Sequence, residues 1–178
     1  MRLGVDRYSG RSMRNRAGSP FRAEAARQGR AARIECHAVC RQPAPIDIAA
    51  LLLVEAGEQV ICRETRYYAD GEPVQLGRTY IPLKIANASP LASKKDLGPG
   101  GIFERFEDLG YRATRIREQV TTRFPTREEA LAIKTQPGVP VLVVMHVASD
   151  GNGTPFEVTR FIMRSDLIAI QYAMFVDS

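Results

Sequence analysis

The sequence predicts an α+β domain: a single, mainly antiparallel sheet of six to seven strands with short helices packed on it. Two observations carry this: a hairpin pattern written twice, and three or four short helical segments between the remaining strand-like runs. The first copy reads Tyr67-Tyr68-Ala69-Asp70-Gly71-Glu72-Pro73-Val74-Gln75, with Arg78 three residues on. The second reads Ala148-Ser149-Asp150-Gly151-Asn152-Gly153-Thr154-Pro155-Phe156-Glu157, with Arg160 three residues on. Each joins two apolar, β-branched runs through an Asp-Gly turn, the strongest short-range hairpin signal. Each places its Pro at the first position of the outgoing strand, where a missing N–H costs least. Related hairpins about eighty positions apart predict one sheet with internal pseudo-symmetry. The surface shared by the copies is a natural place for a ligand.

The elements follow in chain order. Met1 to Gly18 is polar, rich in Gly and Arg and aperiodic, and reads as a linker or arm. Ser19-Pro20 opens a short helix that runs to Gln28 and stops at Gly29, with Ser as N-cap and Pro at N1. A strand over about Ala32 to Arg41 is broken by Pro43 and Pro45, and Ile46 to Leu53 reads as a second short helix. Val60 to Ala69 and Val74 to Ile81 form the first hairpin. Residues 84–99 are irregular, and Gly100-Gly101 leads into a helix whose Ile102, Phe103, Phe106 and Leu109 share a face. Tyr111 to Phe124 has the length of a long strand. Thr126-Arg127-Glu128-Glu129 resembles a capping box opening another short helix. Val139 to Ala148 and Phe156 to Met163 form the second hairpin, and Ile168 to Val176 a closing strand.

With 178 residues the chain is long enough for one domain with its own core plus a tail. The longest apolar run, Ile46 to Val54, falls well short of the roughly 20 residues of a membrane span, so no membrane partner is expected. The arginines near the start precede no apolar stretch, which excludes a secretory signal. Cys36, Cys40 and Cys62 all sit in strand-like runs; an odd count favours reduced, buried thiols in a cytoplasmic protein. Cys36, His37 and Cys40 match no common zinc spacing, and no metal or cofactor is expected. The formal charge of +5 is uneven: residues 1–41 carry ten arginines against three acids, while the remainder is slightly acidic. Such an arm can lie against phosphates or serve as a solvated linker. There is no helix-turn-helix pattern.

Catalytic signals are thin. His37 and His146 each lie in an apolar strand run, without a Ser or Cys arrangement, and read as structural histidines. Glu107-Asp108 and Glu128-Glu129 read as caps or solvated faces. Gly98-Pro99-Gly100-Gly101 before a helix could receive an anion, but lacks the P-loop lysine and Rossmann spacing; a plain tight turn explains it better. Glu157 alternates with Thr159, Phe161 and Met163 on one strand face. It reads either as a surface or edge carboxylate or as a ligand-orienting one.

Eight segments together resemble the UTRA effector-binding domain of HutC-type GntR transcription regulators, which shares the chorismate lyase fold. They are the Phe21-to-Arg30 helix, the Ala69-to-Pro73 turn, Thr79-Tyr80-Ile81-Pro82, Gly100-to-Glu104, the Pro125-to-Ala130 helix, Gly138-to-Leu142, Thr154-to-Val158 and Arg164-Ser165-Asp166. The resemblance spans about residues 19–176. It implies a non-enzymatic domain, residues 19–178, that senses a small molecule and forms a homodimer. Residues 1–18 are then a basic interdomain remnant, and operator DNA would be held by a winged-helix domain that this chain does not contain. Effector binding would change operator affinity, as in a repressor. A chorismate-lyase-like enzyme and a ligand-free interaction module are the alternatives.

The resemblance also implies a pocket, made of Arg63, Thr65, Tyr67, Gly77, Thr79, Gly101, Phe103, Glu157 and Met163. The family's sugar-phosphate binders carry two arginines where this chain has Thr65 and Tyr67, a Glu at Gly77, a Ser at Gly101, and tyrosines at Phe103 and Met163. Glu157 is kept, and Thr79 keeps a small hydroxyl. A phosphate needs forked guanidinium donors. The exchanges therefore imply an effector larger or less anionic than a sugar phosphate, held by apolar contact and oriented by Glu157, with Arg63 as one available positive charge and Arg66 on the other face.

Overall fold

A computed structural model of the chain describes residues 3–6, 19–98 and 100–172. In order the elements are β1 (Leu3–Asp6), α1 (Pro20–Arg27), β2 (Ala32–Pro43), α2 (Ile46–Leu52), β3 (Gln59–Ala69), β4 (Glu72–Pro82), α3 (Leu83–Ala86), a 3₁₀ turn at Pro90–Ala92, and α4 (Gly101–Asp108). Then come β5 (Arg115–Arg123), α5 (Arg127–Ile133), β6 (Val141–Ser149), β7 (Pro155–Arg164) and β8 (Ile168–Gln171). Six strands form one antiparallel sheet in the order β2-β3-β4-β7-β6-β5.

That order is an internal duplication. A strand, a helix and a hairpin (β2-α2-β3-β4) are followed by the same series (β5-α5-β6-β7), and the two units meet where β4 pairs with β7. At that seam the repeated arginines face each other, Arg78 against Arg160, and Thr79 faces Thr159. Like charges directly opposite are unfavourable, and each arginine is neutralised by an acid from the other unit's helix: Arg78 by Glu128 of α5 and Arg160 by Asp47 of α2.

The two hairpin turns differ. Asp70 and Gly71 both have positive φ (52° and 83°), as a two-residue type I′ turn requires. Asp70 also accepts from Arg30 Nε at 2.7 Å and from the Ala31 amide at 2.8 Å, tying the turn to the exit of α1. The second copy is not an Asp-Gly turn. Its loop is longer, with the Asp150 carboxylate accepting from the amides of Asn152 and Thr154 (2.9 Å each) and the left-handed position at Gly153. The two extra residues, Asn152 and Gly153, explain the change.

Both sheet faces are covered. On one, α2 packs over Val60, Cys62, Tyr80, Val147 and Val158, and α5 brings Ile133 onto Leu76, Val143 and Ile162. On the other, Phe21 of α1 joins Ala69, Val74, Val144 and Met163, while Ile85, Leu91 and Phe106 of α3, the 3₁₀ turn and α4 cover Ile61, Ile81 and Phe156. Thr126 opens α5 as expected: its hydroxyl accepts from the Glu129 amide while Glu129 accepts from the Thr126 amide.

Four further expectations change. Ser19 stands at the N-cap of α1 but its side chain makes no capping hydrogen bond, and the helix ends at Arg27 with Gln28 as its C-cap. Ile168–Gln171 pairs in parallel with Leu3–Asp6 as a separate two-stranded sheet, so part of the expected linker is a strand; residues 1–2, 7–18 and 173–178 lie outside the described residues. The strand expected from Tyr111 begins at Arg115, after Gly110 takes φ +85° and Tyr111 bonds back to Phe106. Of the three thiols only Cys62 is buried; Cys40 is exposed and Cys36 half-buried, because β2 is an edge strand. Among the described residues no helix is long and apolar enough to cross a membrane.

Candidate functional site

The cross-strand register lines up one buried polar row. Arg63 lies opposite Thr79, Thr79 opposite Thr159, Thr159 opposite His146 and His146 opposite Glu118, one residue from each of β3, β4, β7, β6 and β5. Partners directly opposite in antiparallel strands project to the same face. The row therefore crosses the α1/α4 face between its two apolar clusters. Arg63, Thr79, Thr159 and His146 are between 1% and 6% exposed, so their polar atoms have to find partners inside the protein.

At the centre, Thr79 and Thr159 share a hydroxyl–hydroxyl bond of 2.7 Å across the seam. The Thr159 hydroxyl also bonds Glu157 Oε1, from two residues earlier on β7. One hydroxyl thus links the repeat seam to the carboxylate. Glu157 is 2% exposed, and its Oε2 accepts no hydrogen bond among the described residues. His146 Nε2 lies 3.8 Å from that oxygen, beyond hydrogen-bonding distance. On its other side His146 Nδ1 donates to Glu118 Oε1 (3.0 Å), and the Tyr172 hydroxyl donates to Glu118 Oε2 (2.9 Å). Beside that end a cleft of about 280 Å³ is lined by Ile116, Glu118, Val120 and Tyr172.

Aromatic rings cover this end of the row. Phe103 of α4 meets His146 edge-on at 6.3 Å, Phe161 meets it at 6.2 Å, and Tyr67 continues the series against Phe161 at 6.2 Å and Phe21 at 5.2 Å. Gly77 makes that packing feasible. A Cβ there would lie 3.3 Å from both Phe161 ring atoms and Tyr67 Cε2. Space that a side chain would occupy at position 77 is filled by two rings.

Arg63 has a different role from the one expected. It does not stand open to a ligand. Its Nη1 donates to the Leu91 and Ser93 carbonyls (2.6 Å each), with Pro90 O at 3.4 Å, and its Nη2 lies 3.5 Å from Cys36 Sγ. Burial lowers its pKa from the ordinary arginine value, because no carboxylate compensates the lost hydration; the neighbouring Cys36 and Tyr67 act in the opposite sense. The guanidinium clamps the irregular segment that leads to α4. Arg66, expected on the other face, lies there beside Glu64 at 3.6 Å.

Of the nine expected site residues, Thr79 and Glu157 sit in or directly beside the row, with Phe103, Tyr67 and Gly77 in its aromatic wall. Thr65 is on the same face, opposite Gly77 and Cys36. Met163 is fully buried in the cluster with Phe21 and Val144, four residues beyond Thr159. Gly101 starts α4 with φ +64° and lies near Ser19 at the start of α1. His146 and Glu118 were not foreseen. The hairpin offered one clue to His146: pairing Ser149 with Pro155 brings Ala148 against Glu157 and His146 against Thr159.

The comparisons agree with this architecture. A sequence profile of the UTRA domain matches residues 27–169. The HTH-type transcriptional regulator GgaR of Escherichia coli K12 is 30% identical over 125 residues, covering 69% of this chain and 47% of GgaR. The chain thus spans about half the length of the curated relatives it matches. Among solved structures, the effector domain of PhnF from Mycobacterium smegmatis superposes with a TM-score of 0.79 at 22% identity, over 98% of this chain and all of that one. Intact PhnF gives 0.83 at 20% identity, over 99% of this chain and 73% of PhnF. Profile, relative and fold concur: the chain belongs to the UTRA family, the regulatory domain of GntR-family transcription regulators.

Proposed function

We propose that this chain is the effector-sensing, dimerising, non-catalytic part of a HutC-type repressor, and that its effector is oriented by Glu157. The observation that carries the reading is the bare Oε2 of a carboxylate only 2% exposed. A buried carboxylate oxygen left without a hydrogen-bond donor costs about 1–3 kcal/mol or more, and a ligand ammonium or hydroxyl would supply the missing donor. Neither of the two guanidinium positions of the sugar-phosphate binders is cationic here, and Arg63 is committed to backbone carbonyls. The effector is therefore less anionic than a sugar phosphate and rests on the rings of Phe103, Phe161 and Tyr67. It enters by displacing α4 and the segment that Arg63 holds, and this movement is what reaches operator DNA through a winged-helix domain in the same regulator.

A thermal-shift screen against a metabolite library, with Glu157→Ala in parallel, tests this. Amine- or hydroxyl-bearing compounds that raise the melting temperature of the native domain and not of the variant support it. Micromolar binding of a phosphosugar overturns the effector class. Sedimentation measures the dimer. A second reading, a ligand-free interaction module, is favoured by one observation: ring and aliphatic side chains already fill the layer over the row. It predicts silence across the library from a folded dimer.

A further inference from the structure

On the face opposite the polar row, β2 and β3 bring two thiols together. Cys40 and Cys62 are direct cross-strand partners in the antiparallel ladder. Such partners have Cα atoms about 4.5 or 5.5 Å apart, inside the range of about 4.4–6.8 Å that a disulfide spans. Their side chains project the same way, and the Cys40 thiol, which donates to Gln42 Oε1 at 3.4 Å, is held on that face. The third cysteine is kept out by a bulge. Cys36 and Cys40 are four residues apart and would share a face on a regular strand, but the register shifts between Cys36 and Ala38. Cys36 consequently faces Arg63, on the other side of the sheet.

We infer that Cys40 and Cys62 form a peroxide-responsive thiol pair that closes to an intramolecular disulfide. Exposure sets the order of events. Cys40 is exposed, whereas Cys62 is 8% exposed under α2. Burial, and then the Cys40 thiol beside it, push the Cys62 thiol up to about 11, so Cys62 is the second partner and not the first nucleophile. Cys40 sulfur attacks one peroxide oxygen; the O–O bond breaks, one water leaves and Cys40 becomes a sulfenic acid. Cys62 sulfur then displaces that hydroxyl, its proton leaving with it as a second water. Two sulfurs are oxidised and one peroxide is reduced. The bridge encloses α2 and ties the edge strand β2 to β3 at the residue next to Arg63, so it stiffens the strand from which the clamp on the 90–93 turn projects.

The test uses the full chain, reduced, freed of reductant and treated with hydrogen peroxide, with thiols counted after denaturation. Titratable thiols fall from three to one, the mass falls by two hydrogens, peptide mapping joins Cys40 to Cys62, and dithiothreitol restores all three. Cys40→Ser, at an exposed position, keeps both of its remaining thiols at the same dose. Cys62→Ala, checked for folding by circular dichroism, leaves a Cys40 sulfenic acid that dimedone traps. Persistence of all three thiols, a bridge to Cys36, a bridge between two chains, or over-oxidation of Cys40 with Cys62 intact would each overturn the pair.

Discussion

Replacing Arg63 with Met removes every donor of the clamp and keeps the length of the stem. Two short charged hydrogen bonds disappear, to Leu91 O and Ser93 O. Leu91 is fully buried and Ser93 half-buried, so only the second carbonyl readily regains water. Stranding the Leu91 carbonyl costs about 1–3 kcal/mol, and losing a charged bond at Ser93 adds about 1 kcal/mol once water replaces it. Relief of the desolvated, acid-free guanidinium offsets part of this. The net expectation is a loss of about 2 kcal/mol, or about 4–8 °C in melting temperature for a domain of this size. The loss has an address. Hydrogen exchange should speed up over residues 83–98 and at the start of α4, while the β4–β7 seam stays protected. Unchanged exchange in residues 89–95, or a variant as stable as the native chain, would refute the clamp. Effector affinity should change too, since an unclamped segment lowers the cost of opening the site.

Three further expectations follow from single sites. Gly77→Val inserts branched carbon where a Cβ already meets two rings at 3.3 Å; it should cost about 1–3 kcal/mol in urea unfolding through overpacking, with Phe161 and Tyr67 resonances shifting. Thr126→Ala removes the α5 cap and should cost about 1 kcal/mol, read from the same unfolding curves. Acid stability follows from two carboxylates. Burial raises the Glu129 pKa, but its hydrogen bonds from Arg123 and Thr126 outweigh that and leave it below the ordinary value; Asp70 is lowered by its bonds from Arg30 and the Ala31 amide. A depressed folded-state pKa means that the stabilisation is present above the unfolded value, about 4, and is lost as pH falls through the folded one. Thermal melts should be insensitive to these groups from pH 6 to 8 and drop below about pH 4, and Glu129→Gln should flatten part of that drop.

Local chemistry made the fold readable. Asp70-Gly71 specifies a type I′ turn because few other residue pairs accept two positive φ values. Thr126 and Glu129 specify a helix start because their side chains complete orphan amides within four residues. The repeated arginines and prolines exposed the pseudo-symmetry that the β4–β7 seam realises. Signals that depend on distant partners were silent or misleading. Arg63 reads as an available cation along its own strand; only the return of the chain at Leu91 and Ser93, some thirty residues later, turns it into a clamp. His146 reads as one polar residue in an apolar run until β5 brings Glu118 against it. Cys36 and Cys40 read as buried thiols until the edge position of β2 leaves Cys40 exposed and the bulge turns Cys36 to the other face.

The sequence by itself determined the class of fold, the strand pairs of the two hairpins, the type I′ turn of the first and the Thr126 cap. Those properties are encoded within a few residues, by backbone φ preferences, alternation and short-range hydrogen bonds. Tertiary structure alone decided which polar side chains meet, because cross-strand register couples residues as distant as Thr79 and Thr159, eighty positions apart, and a single bulge reverses which face a residue joins.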